Sequence, residues 1–273
     1  MTPQKSPVLG IHGINQQSST PNALGQEWSK AIGTGLEAHG LEHGELSVPV
    51  VYYAHLFSER LAAQGLNAPL SEDESELLAS WLRSSPLDAT PQGRVEAWIG
   101  QAADAIASRL HRVPPWVIEG MMRSAASQVS QYLRAASLRQ KIQAVLINEI
   151  SQLRPRVLIA HSLGSVVAYE ALHASPKSEI ELLLTIGSPL GIPGLFIPRL
   201  TPGPASDLTK PAGVKRWLNV YHPGDVVAAV GKLMSVYSGV ERDVSIDIEM
   251  RYCHQASAYL KAPEVGCVLA DYV

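Results

Sequence analysis

The segment Pro155–Ala174, PRVLIAHSLGSVVAYEALHA, constrains the fold of this chain more than any other stretch. Its first six residues form an apolar run typical of a buried strand, and the residues after Ser162 form a helical pattern. The chain must therefore turn sharply at Ser162. A strand that leads directly into a helix is the building unit of an α/β protein with a parallel sheet.

Other apolar runs alternate with helical patterns on both sides of this segment. This alternation predicts an α/β fold over residues 1–273, with a mostly parallel central sheet and helices on both faces. The predicted strands are Pro7–Ile11, Val48–Ala54, Pro155–Ala160, Glu179–Gly187, Val214–His222 and Arg242–Met250.

Residues 56–136 contain no strand pattern, and we interpret them as a helical insertion within the single domain. Apolar residues recur at helical spacing between Val95 and Leu110, and a second helix is predicted over Trp116–Leu133. The sheet framework then resumes with a helix that Ser137 is suited to cap.

The composition excludes several classes of protein. A formal net charge of −3 gives no electrostatic reason to expect nucleic-acid binding. No run approaches the roughly 18 apolar residues of a membrane span, and the N-terminus lacks a signal-peptide pattern. The two cysteines, Cys253 and Cys267, form no disulfide framework, so we expect a reduced, cytoplasmic protein.

Ala160-His161-Ser162-Leu163-Gly164 is typical of a nucleophile elbow, in which a serine lies on a tight turn between a strand and a helix. The residues two before and two after the serine must be small there, and Ala160 and Gly164 meet that need. Ala160 departs from the usual glycine. The alternative interpretation is that Ser162 only caps the helix that follows it.

A nucleophilic serine needs a histidine base, which follows it in the chain of such proteins. Three histidines lie beyond Ser162. His173 lies within the helix that leaves the turn, which suits a surface or packing role. His254 follows the last predicted strand, so we favour it, with His222 as the alternative.

The base in turn needs an orienting carboxylate. Asp225 follows a predicted strand directly, at the edge of the sheet where the serine is expected, and is our candidate. An ordinary turn role after Pro-Gly is its alternative interpretation. Asp207 lies in a proline-rich loop, and Asp243 and Asp247 lie at or beside a strand, which suits a solvated edge.

The negative oxygen of a reaction intermediate needs two N–H donors. The N–H of Leu163, directly after the serine, is one candidate. The loop after the first strand, GIHGINQQ, supplies the other, because Gly13 permits a tight turn and places Ile14 as the donor. His12 suits an orienting role, and the loop lacks the lysine of a phosphate-binding loop.

Together these segments resemble the α/β-hydrolase family of serine hydrolases, and in particular the lipase and esterase branch that includes lecithin-cholesterol acyltransferase and GPI inositol-deacylase-like proteins. The resemblance covers residues 7–54 and 137–262 but not the helical insertion, and it is specific for fold and triad rather than substrate. The segments that carry it are IHGIN, AHSLGS, TIGSPL, NVYHPGDVV and CHQASAYL.

The resemblance implies hydrolysis of a carboxylic ester, from a small molecule or a lipid, without metal or organic cofactor. Amidase, thioesterase and acyltransferase activities use the same residues, and a catalytically silent fold that only binds ligands is the alternative of another class. Trp81, Trp98 and Trp116 either pack the insertion against the sheet or belong to a lid that binds an acyl chain or a membrane surface. The apolar loop from Leu190 to Pro204 is suited to wall an acyl pocket.

Overall fold

The computed structural model describes residues 7–57, 69–84, 95–110, 114–192, 194–203, 208–228 and 232–273. Strands and helices alternate through them. The strands are β1 (Val8–Ile11), β2 (Val50–Val51), β3 (Val157–His161), β4 (Ile180–Ile186), β5 (Val214–Tyr221) and β6 (Arg242–Ser245). The helices are α1 (Pro21–Ala38), α2 (Glu72–Ser84), α3 (Val95–Leu110), α4 (Pro115–Arg134), α5 (Ala136–Leu153), α6 (Leu163–Ala174), α7 (Ala256–Leu260) and α8 (Pro263–Leu269).

The six strands form one sheet in the order β2-β1-β3-β4-β5-β6, and every neighbouring pair is parallel. The expected α/β architecture with a parallel sheet is therefore confirmed. In the register, Ile11 lies beside Ala160 and Ala160 beside Thr185, so the carboxyl ends of the central strands meet at one edge. Loops that leave these ends converge there.

Helices cover both faces of the sheet because the strands are apolar on both sides. On one face, α5 and α6 pack on the sheet through a core that includes Ile142, Leu146 and Val167. On the other face, α1, α7 and α8 pack through a core that includes Trp28 and Leu260.

The described residues between β2 and β3 fold as helices, with a short 3₁₀ turn at Ala54–Leu56 before α2. Helices α2, α3 and α4 share a small core of their own. Its buried members are Leu78, Ile99, Ala102, Ala103, Ile118, Met122 and Ala126. No described helix is long and apolar enough to cross a membrane.

Two edge strands are shorter than predicted. The predicted strand Val48–Ala54 is reduced to Val50–Val51, since the Tyr53 N–H donates to the His12 ring at 3.1 Å instead of a strand neighbour. The predicted strand Arg242–Met250 ends at Ser245, and a 3₁₀ turn begins at Met250. Each edge strand pairs on one side alone, which leaves its ends free to bend.

The prediction that Ser137 caps a helix is wrong. Helix α5 begins at Ala136, and its N-cap residue Ala135 makes no capping hydrogen bond through its side chain. A one-residue break after Arg134 separates α4 from α5, so Ser137 lies within the first turn of α5.

Candidate active site

Ser162 lies at the expected corner between β3 and α6, with a left-handed φ of 53°. Such a φ is unfavourable for serine, and residues held in it are concentrated at functional sites. Ser162 occupies the N-cap position of α6, yet its side chain makes no capping hydrogen bond. Its Oγ lies 3.0 Å from Nε2 of His254 instead. The helix-cap interpretation therefore does not describe this hydroxyl.

The corner is possible because its neighbours are small. A Cβ added to Gly164 would lie 2.5 Å from the backbone oxygen of His12, so a larger residue would separate α6 from the first loop. Ala160 is fully buried in the core between the sheet and α6. Both residues provide the close approach of strand and helix that the elbow requires.

His254 lies in the loop between β6 and α7 and connects Ser162 to Asp225. Its Nδ1 is 2.8 Å from Oδ2 of Asp225. A carboxylate only accepts hydrogen bonds, so Nδ1 carries the proton and Nε2 is free to accept one from Ser162. Asp225 is fully buried, whereas the His254 side chain is 28% exposed. The buried Asp225 carboxylate therefore holds an imidazole that solvent can reach.

The Asp225 carboxylate has several donors besides His254. The Tyr259 hydroxyl donates to Oδ2 at 2.8 Å, and the Val227 N–H donates to Oδ1 at 2.9 Å. Burial and the neighbouring Asp225 carboxylate raise the pKa of Tyr259, which keeps this hydroxyl a donor. These bonds stabilise the charged carboxylate and fix its orientation toward His254.

The loop after β1 lies directly against Ser162. A Cβ at Gly13 would be 2.6 Å from Cβ of Ser162 and 3.1 Å from its Oγ, so only glycine fits. Among the described residues, neither the Ile14 N–H nor the Leu163 N–H has a hydrogen-bond acceptor. Both residues also line one cavity together with Ser162. The two N–H groups are available to an oxyanion.

His12 holds this loop rather than contacting the serine. Its Nδ1 donates to the Gly13 carbonyl at 2.5 Å, and its Nε2 accepts from the Tyr53 N–H at 3.1 Å. The Tyr53 hydroxyl donates to the His12 carbonyl at 2.8 Å, and the two rings stack. Both ring nitrogens are engaged, which is the orienting role that the sequence suggests.

Burial of His12 predicts a loss of stability in acid. Burial lowers the pKa of His12 from 6.5 to about 4, so the unfolded chain takes up the proton first as the pH falls. The neutral His12 ring therefore contributes on the order of 3 kcal/mol to the free energy of unfolding above pH 6.5, and this contribution is lost as the pH falls from 6.5 to about 4. Urea unfolding across this range should show a shallower pH dependence in His12→Gln than in wild type. An exposed-site control, His39→Gln, should match wild type, and equal slopes for all three proteins would contradict the assignment.

Two further groups beside the site are uncharged. Burial, and then the nearby His254, lower the pKa of His161 well below its usual range, so this ring stays neutral. Its Nε2 donates to the His254 carbonyl at 3.0 Å and holds the backbone of His254 in place. Burial raises the pKa of the Cys253 thiol to about 12, which makes it a poor nucleophile.

The alternative candidates have other partners. His222 accepts a hydrogen bond from the Gly224 N–H at 3.0 Å, and His173 donates to the Thr209 carbonyl at 3.1 Å. Asp247 is fully exposed. Asp243 lies on the edge strand β6, where it is half-buried and accepts hydrogen bonds from Asn219 and from the Leu233 N–H. Asp207 lies outside the described residues.

An apolar cavity opens onto Ser162. Most of its lining comes from the insertion helices α2 and α4 and from the loop after β4, and Ser162 is part of the lining. Trp81 lines it and donates its indole N–H to the Val226 carbonyl, beside Asp225, at 2.8 Å. In contrast, Trp116 is 64% exposed. The other lining residues are Ile14, Leu77, Leu78, Ala125, Ala126, Val129, Leu163, Pro189, Ile192, Leu195, Phe196 and Val227.

Sequence reasoning missed the residues that support the site from a distance. Tyr259 looks like an ordinary aromatic residue of a short amphipathic helix, and nothing in its spacing indicates a bond to Asp225. Gln128 carries a weak signal, since it is a polar residue at a position where the helical pattern of α4 turns inward. It is buried and hydrogen-bonded to the loop after β1.

Comparisons with protein-family models, with curated proteins and with solved structures returned no match.

Proposed function

We propose that this protein is a serine hydrolase that cleaves carboxylic esters through an acyl-enzyme intermediate, on an α/β-hydrolase fold. The observation that carries the proposal is the hydrogen-bonded chain from Ser162 through His254 to Asp225, with distances of 3.0 and 2.8 Å. A serine, a histidine and a buried carboxylate in this order activate a hydroxyl for attack on a carbonyl.

The first half of the reaction acylates the serine. Oγ of Ser162 attacks the ester carbonyl as its proton passes to Nε2 of His254, and Asp225 stabilises the imidazolium that forms. The Ile14 and Leu163 N–H groups receive the negative oxygen of the tetrahedral intermediate. His254 then gives the proton to the departing alcohol.

The second half returns the enzyme to its starting state. His254 takes a proton from water, and the resulting hydroxide attacks the acyl carbon bound to Ser162. The intermediate collapses with the proton returned to Oγ, and the carboxylic acid leaves. Solvent reaches this step because the His254 side chain is partly exposed.

The cavity supports substrates with an apolar acyl group. Side chains that line it around Ser162 are aliphatic or aromatic, and the Trp81 indole N–H is already bonded to the Val226 carbonyl. An acyl chain gains free energy from each methylene that such walls remove from water, whereas a charged acyl group would lose its hydration.

Hydrolysis of p-nitrophenyl esters of increasing chain length tests the function and the pocket together. We expect turnover of the acetate and a rise in kcat/KM as the acyl chain lengthens. Ala125→Leu fills the cavity and should lower kcat/KM for the octanoate about 10-fold while leaving the acetate within a few-fold. The control Met121→Leu changes an exposed position of the same helix and should leave both substrates unchanged. No turnover of any ester by folded protein would contradict the function, and equal losses on both esters would contradict the pocket.

A further inference from the structure

We propose that Gln128, on helix α4 of the insertion, is a positioning residue that holds the oxyanion loop in its reactive conformation. The inference rests on the proposed function. It assigns to the helical insertion a part in the chemistry of the site, beyond that of a cavity wall.

Gln128 binds Asn15, the residue that directly follows the proposed oxyanion donor Ile14. Its φ of 61° lies in the left-handed region, where asparagine is one of the better tolerated residues but still needs support. Its backbone N–H donates to Oε1 of Gln128 at 3.1 Å. In return, Nε2 of Gln128 donates to Oδ1 of Asn15 at 2.8 Å. The two bonds are reciprocal, so the amide orientation of Gln128 is fixed.

Ser124, one turn earlier on α4, also binds Asn15. Its hydroxyl donates to the same Oδ1 of Asn15 at 2.7 Å and accepts from Nε2 of Gln128 at 2.9 Å. The Gln128 side chain is buried, and hydrogen bonds in such surroundings are stronger than in water. The backbone and the side chain of Asn15 are thus both bound to one helix of the insertion.

The loop is also held from its other end. The Gly13 carbonyl accepts from the His12 ring at 2.5 Å and from the Tyr53 hydroxyl at 3.4 Å. A trans peptide is planar, so fixing the Gly13 carbonyl points the Ile14 N–H in the opposite direction. His12 and Tyr53 fix this peptide, and Gln128 fixes the next one. Ile14, the proposed oxyanion donor, lies between these two fixed peptide groups.

Gln128→Met is the sharpest test, because it keeps the length of the side chain and removes both hydrogen bonds to Asn15. We expect kcat for p-nitrophenyl butyrate to fall about 10- to 100-fold with KM within about three-fold, since misplacing a reacting group costs rate more than binding. The affinity for an alkyl boronic acid, which forms a tetrahedral adduct on the serine, should fall in parallel. The affinity for the alcohol of the same chain length should stay unchanged.

Gln131→Met is the matched control, because it makes the same chemical change one turn along α4 at a residue whose Nε2 donates to the Ser127 hydroxyl. It should keep the wild-type kcat. If Gln128→Met fails to fold, Ser124→Ala removes one bond to Asn15 at small change in volume and should show a few-fold loss of the same kind.

The outcomes separate this proposal from the proposed function. An active wild type whose Gln128 variant keeps its kcat, or loses only substrate affinity, overturns the positioning role and leaves the hydrolase intact. Loss of alcohol binding in proportion to boronate binding also overturns it, because that pattern reports a damaged pocket. A wild type without esterase activity or boronate affinity overturns the proposed function itself.

Discussion

Replacing Ser162 with alanine is expected to lower kcat for ester hydrolysis by about 10⁶, to the level left by the remaining groups of the site. In the proposed mechanism this hydroxyl forms the acyl-enzyme, and neither His254 nor the Ile14 and Leu163 N–H groups can replace it. The side chain is buried and caps no helix, so the variant should fold as wild type.

Initial rates with p-nitrophenyl butyrate on protein of verified circular dichroism measure this effect. Ser151→Ala, near the end of α5, is the control, because its exposed hydroxyl donates to the Ile147 carbonyl and α5 ends at the opposite end of β3 from Ser162. Retention of a tenth or more of the activity by Ser162→Ala would show that another group attacks the substrate.

Asp225→Asn is expected to produce the second-largest loss, about 10⁴ in kcat, with little change in substrate affinity. The amide is nearly isosteric but can present an N–H to His254. Nδ1 would then become an acceptor, and Nε2 would carry the proton and no longer accept one from Ser162. His254 would then be in the wrong tautomer to take the proton of Ser162.

Tyr259→Phe provides the comparison for this variant, because it removes one donor to Asp225 and leaves the carboxylate in place. Its expected loss is about 10-fold or less, since the Val227 N–H and His254 still hold Asp225. Similar kcat values for the two variants would mean that the charge of Asp225 has no special role.

The order of strands and loops accounts for what could be predicted from the sequence. Ser162, Asp225 and His254 each follow a predicted strand, and a parallel sheet brings the carboxyl ends of its strands to one edge. Gly13 and Gly164 were recognisable because glycine beside a tight turn indicates a close approach of backbones. For these five residues, the local pattern and the order along the chain were sufficient to predict where each lies in the fold.

The supporting contacts could not be predicted because they join parts of the chain that no periodicity relates. Gln128 and Asn15 are 113 residues apart, and Trp81 and Val226 are 145 apart. Their pairing depends on how the insertion packs over the sheet edge, which the helical pattern of α4 leaves undetermined. The length of the strand at the β2 edge was mispredicted for a related reason, since the Tyr53 N–H bonds to a side chain and not to a neighbouring strand.

Reaction with a small fluorophosphonate, followed by mapping of the labelled peptide by mass spectrometry, tests the central claim most directly. The probe phosphonylates a serine only where a base and an oxyanion hole act on it together. We predict a single adduct, on Ser162, that forms rapidly in wild type and is absent in His254→Ala. A folded wild-type protein that takes up no label, or takes it up at another residue, would contradict the assignment of Ser162 as an activated nucleophile.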